Sequence, residues 1–164
     1  MSASKEIEHI EKLGIIAGGG RLPAYLLRIC KEKKITPYIV ALNGQSDPNL
    51  TEGHNAIWVN FGCASKIINF FKGNNVTDLV LIGGVTRPSL KEIKPDLKAM
   101  KILSRIGLKA LGDNSLLTAL KDELENEGFT LHGIHRFCDR LLAQEGNLGL
   151  YGPEPEDETT IDHG

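Results

Sequence analysis

The 164-residue sequence has few of the features that mark secreted, membrane-spanning or nucleic-acid-binding proteins. Its three cysteines, Cys30, Cys63 and Cys138, are odd in number, far apart and never in a CxxC pair, which argues against a disulfide framework or a structural zinc site and favours a reducing cytoplasm. No apolar run approaches the roughly 20 residues of a membrane span, and the polar N-terminus does not resemble a secretory signal. Aromatic residues make up only 5% of the chain, so a nucleic-acid partner is not indicated.

The charge is small and unevenly distributed. The formal net charge is −2, yet residues 152–164 contain five acidic residues and neither lysine nor arginine, so the rest of the chain is mildly basic. This last stretch is also rich in proline and glycine, which is typical of a linker or tail. We therefore expect one domain over residues 1–146 and an acidic linker over residues 147–164.

Short apolar segments alternate with amphipathic ones along the first half of the chain, which predicts an α/β fold with a parallel sheet and helices on both faces. The second half is mainly helical. The predicted strands are residues 13–17, 36–42, 56–61, 78–82 and 129–133, and the predicted helices are one that begins at Leu22-Pro23 and four at residues 64–72, 90–107, 113–128 and 137–142.

Glycines follow the first and the fourth predicted strands: Gly18, Gly19 and Gly20 after the first, Gly83 and Gly84 after the fourth. Parallel strands with right-handed crossovers should bring both glycine segments to the same carboxyl edge of the sheet. A glycine loop before a helix is either a tight turn or a place where backbone N–H groups approach a phosphate or sugar. Both interpretations stay open at this point.

The first glycine segment does not match the common nucleotide-binding fingerprints. Gly18 and Gly20 fit the start of G-x-G-x-x-G, but Pro23 stands at the third glycine. Asn43, at the end of the second strand, offers no carboxylate for a ribose, and no Gly-Lys-Ser/Thr follows as in a P-loop. An ordinary NAD or ATP site is therefore disfavoured.

Five further polar residues are candidates for ligand contact. Arg87 would present a planar guanidinium suited to phosphate or carboxylate, and Thr86 and Ser89 could add hydroxyl donors. The alternative is that Arg87 is a surface residue or caps a helix. Asp113 is either a helix N-cap or a carboxylate near a ligand or metal, and Asp96 is similarly ambiguous. No Ser-His-Asp or Cys-His set can be assigned from spacing.

Seven short motifs follow one another in order along the chain. They are residues 12–23 (KLGIIAGGGRLP), 41–45 (ALNGQ), 83–89 (GGVTRPS), 95–96 (PD), 111–117 (LGDNSLL), 127–129 (EGF) and 142–146 (LAQEG). This ordered set resembles the UDP-2,3-diacylglucosamine pyrophosphatases of lipid A synthesis, of the type unrelated to the calcineurin-like metallophosphoesterases. The resemblance extends from Lys12 to the end of the chain.

The resemblance implies hydrolysis of the pyrophosphate of UDP-2,3-diacylglucosamine to UMP and 2,3-diacylglucosamine 1-phosphate (lipid X), with magnesium as the divalent ion. It implies a Rossmann-like N-terminal domain and a C-terminal domain that carries most of the catalytic acids. It also implies a cytoplasmic protein in peripheral contact with the inner membrane. On this basis the substrate-binding candidates are Gly18, Gly19, Gly20, Arg87, Ser89 and Asp113, and the metal ligands are unassigned.

The chain stops at Asp162-His163-Gly164, where the second domain of this family begins. We expect these 164 residues to fold but to lack hydrolase activity, and robust UMP release with magnesium would contradict that expectation. The alternative hypothesis is a noncatalytic Rossmann-like domain that binds a sugar nucleotide or a dinucleotide.

Overall fold

A computed structural model describes residues 10–86, 94–106 and 115–137. Its elements come in the order predicted for an α/β domain. They are β1 (Lys12–Ala17), α1 (Leu22–Glu32), β2 (Thr36–Leu42), a 3-10 turn (Pro48–Thr51), β3 (Asn55–Val59), α2 (Ala64–Gly73), β4 (Asp78–Ile82), α3 (Leu97–Ile106), α4 (Ser115–Asn126), β5 (Thr130–His132) and a second 3-10 turn (Ile134–Arg136).

The five strands form one parallel sheet in the order β3-β2-β1-β4-β5. The chain therefore runs outward from β1 to β3 and then returns to add β4 on the other side of β1. This is the arrangement of a Rossmann-like fold, and it places a topological switch point between β1 and β4. The predicted α/β class and parallel sheet are confirmed.

Side chains alternate between the two faces of the sheet along β1. Because both sets are apolar, helices cover both faces. Leu13 and Ile15 point into a core formed with α1, where Leu26 is completely buried. Ile16 points into a second core formed with α2 and α4, which contains Phe71. Helix α3 packs against α2 and α4, outside this second core.

Several predicted boundaries were wrong. The third strand ends at Val59 rather than at residue 61, because the chain turns at Phe61-Gly62. Helix α3 begins at Leu97 rather than at residue 90, since residues 94–96 are not helical. The chain also makes a 3-10 turn at Ile134–Arg136 that was not predicted. Apart from Phe137, the helix predicted at residues 137–142 lies outside the described part and stays a prediction.

An ion-pair cluster joins three helices on the α2 side. The Glu127 carboxylate, just beyond α4, accepts hydrogen bonds from Lys72 Nζ of α2 at 2.5 Å and from Lys98 Nζ of α3. These two ammonium groups lower the pKa of Glu127 from 4.5 to about 2, and their hydrogen bonds are the largest cause of the shift. The ionised carboxylate therefore stabilises the folded chain at neutral pH.

We expect Glu127→Gln to be destabilising at pH 7 and progressively less so as the pH falls. The folded-state pKa is depressed, so this stabilisation is complete above about pH 4.5 and disappears as the pH falls through about 2. Urea unfolding of both proteins between pH 7 and pH 2.5 measures the difference. Glu125→Gln is the control, because its carboxylate makes an exposed 3.8 Å pair with Lys121. A Glu127 effect that stays constant with pH would contradict this assignment.

Candidate functional site

The candidate site lies at the carboxyl edge of the sheet, between β1 and β4. Ligands of open α/β sheets bind in the crevice outside the carboxyl ends of the strands, at the switch point. The loop after β1 contains Gly18, Gly19 and Gly20, and the loop after β4 contains Gly83 and Gly84. The two glycine segments therefore meet where the strand order predicts a ligand.

The two loops are joined by backbone hydrogen bonds. Gly19 N–H donates to the Gly84 carbonyl at 2.7 Å, and Gly84 N–H donates to the Gly19 carbonyl at 2.9 Å, which forms an isolated antiparallel bridge. Gly18 N–H donates to the Ile82 carbonyl at 2.8 Å. We call this set of contacts the glycine bridge. It confirms the prediction that both glycine segments lie at the same edge.

Glycine is required in the bridge because the two backbones lie so close together. A Cβ at Gly18 would be 2.4 Å from the Gly84 carbonyl oxygen, a backbone atom that cannot move aside. Gly83 has a φ of +97°, and a Cβ there would be 2.7 Å from the Gly19 carbonyl oxygen. Residues with a side chain rarely adopt that φ. The glycines therefore allow the two loops to lie this close together.

The bridge determines which loop amides can reach a ligand. The N–H groups of Gly18 and Gly19 already donate to protein carbonyls. In the part of the chain that the structure describes, no acceptor is seen for the N–H of Gly20, and no side chain caps the start of α1 at Arg21. Of the three glycines, Gly20 thus has the N–H group that could reach a ligand, while Gly18 and Gly19 shape the loop.

The loop after β2 supports the bridge from the side. The Ser46 hydroxyl, which is buried, donates to the Ala17 carbonyl at 2.7 Å and accepts from Leu42 N–H at 2.9 Å. It thereby ties the ends of β1 and β2 together. Asn43 Nδ2 donates to Asn60 Oδ1 at 2.7 Å, so the residue that stands where a ribose-binding acid would be is used to join β2 and β3.

Gln45 connects this loop to the far side of the crevice. Its Oε1 accepts a hydrogen bond from Thr86 N–H at 2.8 Å. No sequence pattern indicated this contact. The available signal was topological: in a parallel sheet, the loop after β2 emerges beside the loop after β1.

A cleft of about 270 Å³ opens next to Gly20. Its lining combines apolar side chains of α1 with apolar and polar ones from the connection between β2 and β3. The lining residues are Gly18, Gly20, Arg21, Pro23, Ala24, Leu27, Asp47, Asn49, Leu50 and His54. The glycines were predictable from the sequence, but Asp47, Asn49 and His54 were not, because they belong to the β2–β3 connection and reach the cleft only in the folded chain.

Most of the other predicted site residues lie outside the part of the chain that the structure describes. Arg87, Ser89 and Asp113 lie outside the described residues, so their substrate contacts stay predictions. Thr86 is described and is exposed at the end of the β4 loop. Of the six substrate-binding candidates, the structure therefore places the three glycines.

Asp96 proves to be a helix cap. Its Oδ2 accepts from Ser65 N–H at 2.7 Å, at the start of α2, and its Oδ1 accepts from Ala99 N–H at 2.8 Å, at the start of α3. Capping satisfies amides that a helix end leaves without partners. Both carboxylate oxygens thus serve the fold, which explains why α3 begins immediately after this residue.

The described residues do not fit a magnesium site. Within residues 10–86, 94–106 and 115–137, no group of three or more His, Cys, Asp or Glu side chains could hold a metal ion. Asp96, one candidate from the sequence, is occupied by two backbone amides. We therefore derive no chemical step through a metal from these residues.

His132 and Cys30 have structural roles. His132 Nε2 lies 2.7 Å from Asp78 Oδ1, and Arg136 Nη1 lies 3.1 Å from His132 Nδ1. Both ring nitrogens are thus engaged, at the edge of the sheet where β4 begins. Burial raises the pKa of the Cys30 thiol to about 11, so this thiol stays protonated and unreactive at neutral pH.

A parallel α/β domain with two glycine loops at the switch point belongs to the Rossmann-like class. Comparison with known protein families then identifies the family within this class. Residues 12–141 match the LpxI N-terminal domain, and the chain belongs to that family.

A curated relative agrees with this assignment. The chain is similar to the UDP-2,3-diacylglucosamine pyrophosphatase LpxI of Caulobacter vibrioides (strain ATCC 19089 / CIP 103742 / CB 15), with 32% identity over 154 residues. The alignment covers 93% of this chain and 55% of the relative, so the chain spans about half the length of the curated protein it matches.

Proposed function

We propose that this chain takes part in hydrolysis of the pyrophosphate of UDP-2,3-diacylglucosamine to UMP and lipid X, and that its crevice binds the phosphorylated part of that substrate. Family membership and the activity named for the relative support the reaction. The glycine bridge supports the location, because it fixes two loops at the switch point, where open α/β sheets bind ligands.

The groups around the crevice suit an anionic substrate. Gly20, Arg21 and the first residues of α1 line the same cleft, and no side chain caps this end of the helix. Helix N-termini favour negative charge. Leu27 and Leu50 provide apolar surface in the same cleft. This mixed lining suits a phosphorylated sugar or nucleoside, whose rings are partly apolar and whose substituents are polar.

Three further parts of the proposal rest on the family resemblance. They are a magnesium ion, most of the catalytic acids in a second domain, and peripheral contact with the inner membrane from the cytoplasm.

None of the helices in the described part of the chain has the length and hydropathy of a membrane span. Hydrolysis of a pyrophosphate builds negative charge on the phosphoryl oxygens, and cationic groups such as Arg87 would offset that charge.

We expect Arg87→Ala to weaken lipid X binding about 10- to 100-fold, because a charge-assisted hydrogen bond to a phosphate contributes roughly 1.5–3 kcal/mol. Titration calorimetry measures the affinity, and urea unfolding verifies that the variant is folded. Arg28→Ala is the matched control: Arg28 lies over the Tyr25 ring on the outer surface of α1 and should not affect binding. Unchanged affinity in folded Arg87→Ala would remove Arg87 from the site.

A further inference from the structure

A carboxylate lines the cleft next to Gly20, although no acidic residue stands at the end of β2. Dinucleotide-binding domains hold the ribose hydroxyls with an acid near that strand end, where this chain has Asn43, which is bonded to Asn60. Asp47 follows in the loop after β2 and lines the same cleft as Gly18 and Gly20. The folded chain thus brings an acid to the glycine loop from a position outside the fingerprint.

The position of Asp47 is fixed by its own hydrogen bonds and by its neighbour. Its Oδ1 accepts from Asn49 N–H at 2.8 Å and from Asn49 Nδ2 at 3.1 Å, which caps the 3-10 turn at Pro48–Thr51. The preceding residue, Ser46, is buried and donates to the Ala17 carbonyl at the end of β1. The backbone that carries the carboxylate is therefore tied to the strand that leads into the glycine loop.

The second carboxylate oxygen of Asp47 has no protein partner in the part of the chain that the structure describes. The side chain is exposed, and a carboxylate only accepts hydrogen bonds. It therefore suits the hydroxyl groups of a ligand and repels a phosphate. Phosphate is favoured instead by Arg21 and the first residues of α1, which line the same cleft, because a guanidinium and a helix N-terminus both attract negative charge.

The cleft has the size of one nucleoside rather than of the whole substrate. Its volume is about 270 Å³, just below the roughly 300–1,000 Å³ of pockets that enclose drug-sized ligands. A sugar that carries two acyl chains, or a complete dinucleotide, is too large for it. Leu27 and Leu50 line the cleft and offer apolar contact to the faces of a base or a ribose ring.

We propose that this cleft binds the nucleotide half of the substrate, with the ribose hydroxyls donating hydrogen bonds to Asp47 and the phosphate at Gly20 and Arg21. The inference rests on the proposed function, which supplies the nucleotide, and adds which half of the substrate the cleft takes. Asp47 makes the cleft specific for ribose, because a nucleotide without the two hydroxyls leaves the carboxylate without its ligand partners. The acylated glucosamine half lies outside the cleft.

The first experiment compares UMP with 2′,3′-dideoxy-UMP by titration calorimetry. The wild-type chain should bind UMP about 10- to 100-fold more tightly, which is the usual effect of hydrogen bonds to a charged group. Equal affinity for the two nucleotides would overturn the role of Asp47.

Asp47→Ser tests the residue itself. Serine still caps the turn but has no second oxygen, so this variant should bind UMP about 10- to 100-fold more weakly than the wild type. Its affinity for the dideoxy nucleotide should be unchanged or higher, since a negative charge near the phosphate is removed. A loss of the same size for both nucleotides would contradict the inference.

Two controls accompany this variant. Urea unfolding verifies that Asp47→Ser is folded. Asp122→Ser is the matched substitution, because Asp122 is an exposed carboxylate of α4 that does not line the cleft, and it should leave the affinity for UMP unchanged.

A titration with lipid X separates failure of the inference from failure of the proposed function. If the wild-type chain binds lipid X but not UMP, the proposed function stands and the nucleotide cleft is wrong. If it binds neither, the proposed function is wrong and the inference fails with it. If UMP binds to the wild type and equally well to Asp47→Ser, the assignment of the ribose to Asp47 is wrong.

Discussion

Gly18→Ala should lower the free energy of unfolding by about 1–3 kcal/mol, the usual cost of forcing extra atoms into a closely packed position. The added methyl group would lie 2.4 Å from the Gly84 carbonyl oxygen and 3.0 Å from Val85 Cγ2. Relief of that contact requires the two loops to separate, which breaks the hydrogen bonds between Gly19 and Gly84. The variant should therefore also show faster amide exchange at both of these residues, and urea unfolding gives the free energy.

Gly84→Ala is the matched control within the same bridge. A Cβ at Gly84 would have no atom within 4 Å, and the residue is not among the glycines with positive φ. A compatible Gly→Ala substitution leaves stability unchanged or raises it by up to about 1 kcal/mol, because it reduces the freedom of the unfolded chain. Equal losses in the two variants would show that the close approach seen at Gly18 does not govern the bridge.

Phe71→Ala should cause the largest loss of stability, about 3–5 kcal/mol. Phe71 is completely buried between α2 and the sheet, and its ring centroid lies 6.1 Å from that of Phe129 in an edge-to-face arrangement. Its ring also fills the space above Gly14, where a Cβ would lie 2.8 Å from Phe71 Cε1. Truncation leaves a cavity that the surrounding strands and helices cannot close.

Phe70→Ala is the control for this prediction. Phe70 is adjacent in sequence but only half-buried, and it packs beside Tyr38 at the margin of the same core. Its truncation should therefore cost clearly less than that of Phe71 in the same urea series. A loss at Phe71 no larger than that at Phe70 would mean that the core on the α2 side is not packed as described.

Much of the fold was predictable because its signals are local. The apolar run of β1 (Lys12–Ala17) and the glycines that follow it define a buried strand and its end, and the same pattern recurs at β4 (Asp78–Ile82). Parallel pairing then required the two glycine loops to share an edge, which the bridge between Gly19 and Gly84 confirms.

Contacts between distant residues could not be predicted from local patterns. For Asp96 the sequence left two interpretations open, a helix cap or a carboxylate near a ligand or metal. Only the fold shows that Ser65 and Ala99 occupy its two oxygens. The hydrogen bond from Thr86 to Gln45 spans 41 positions, and no periodicity within either segment encodes it. Sequence patterns thus located the crevice, but not the residues that support it.

The most direct test of the central claim is a calorimetric titration of the wild-type chain with lipid X, UMP and NAD in separate experiments. The account predicts saturable binding of lipid X or UMP and none of NAD, since Pro23 replaces the third fingerprint glycine and Asn43 bonds to Asn60 where a ribose-binding acid would stand. Binding of NAD alone would contradict it and would favour a dinucleotide-binding domain.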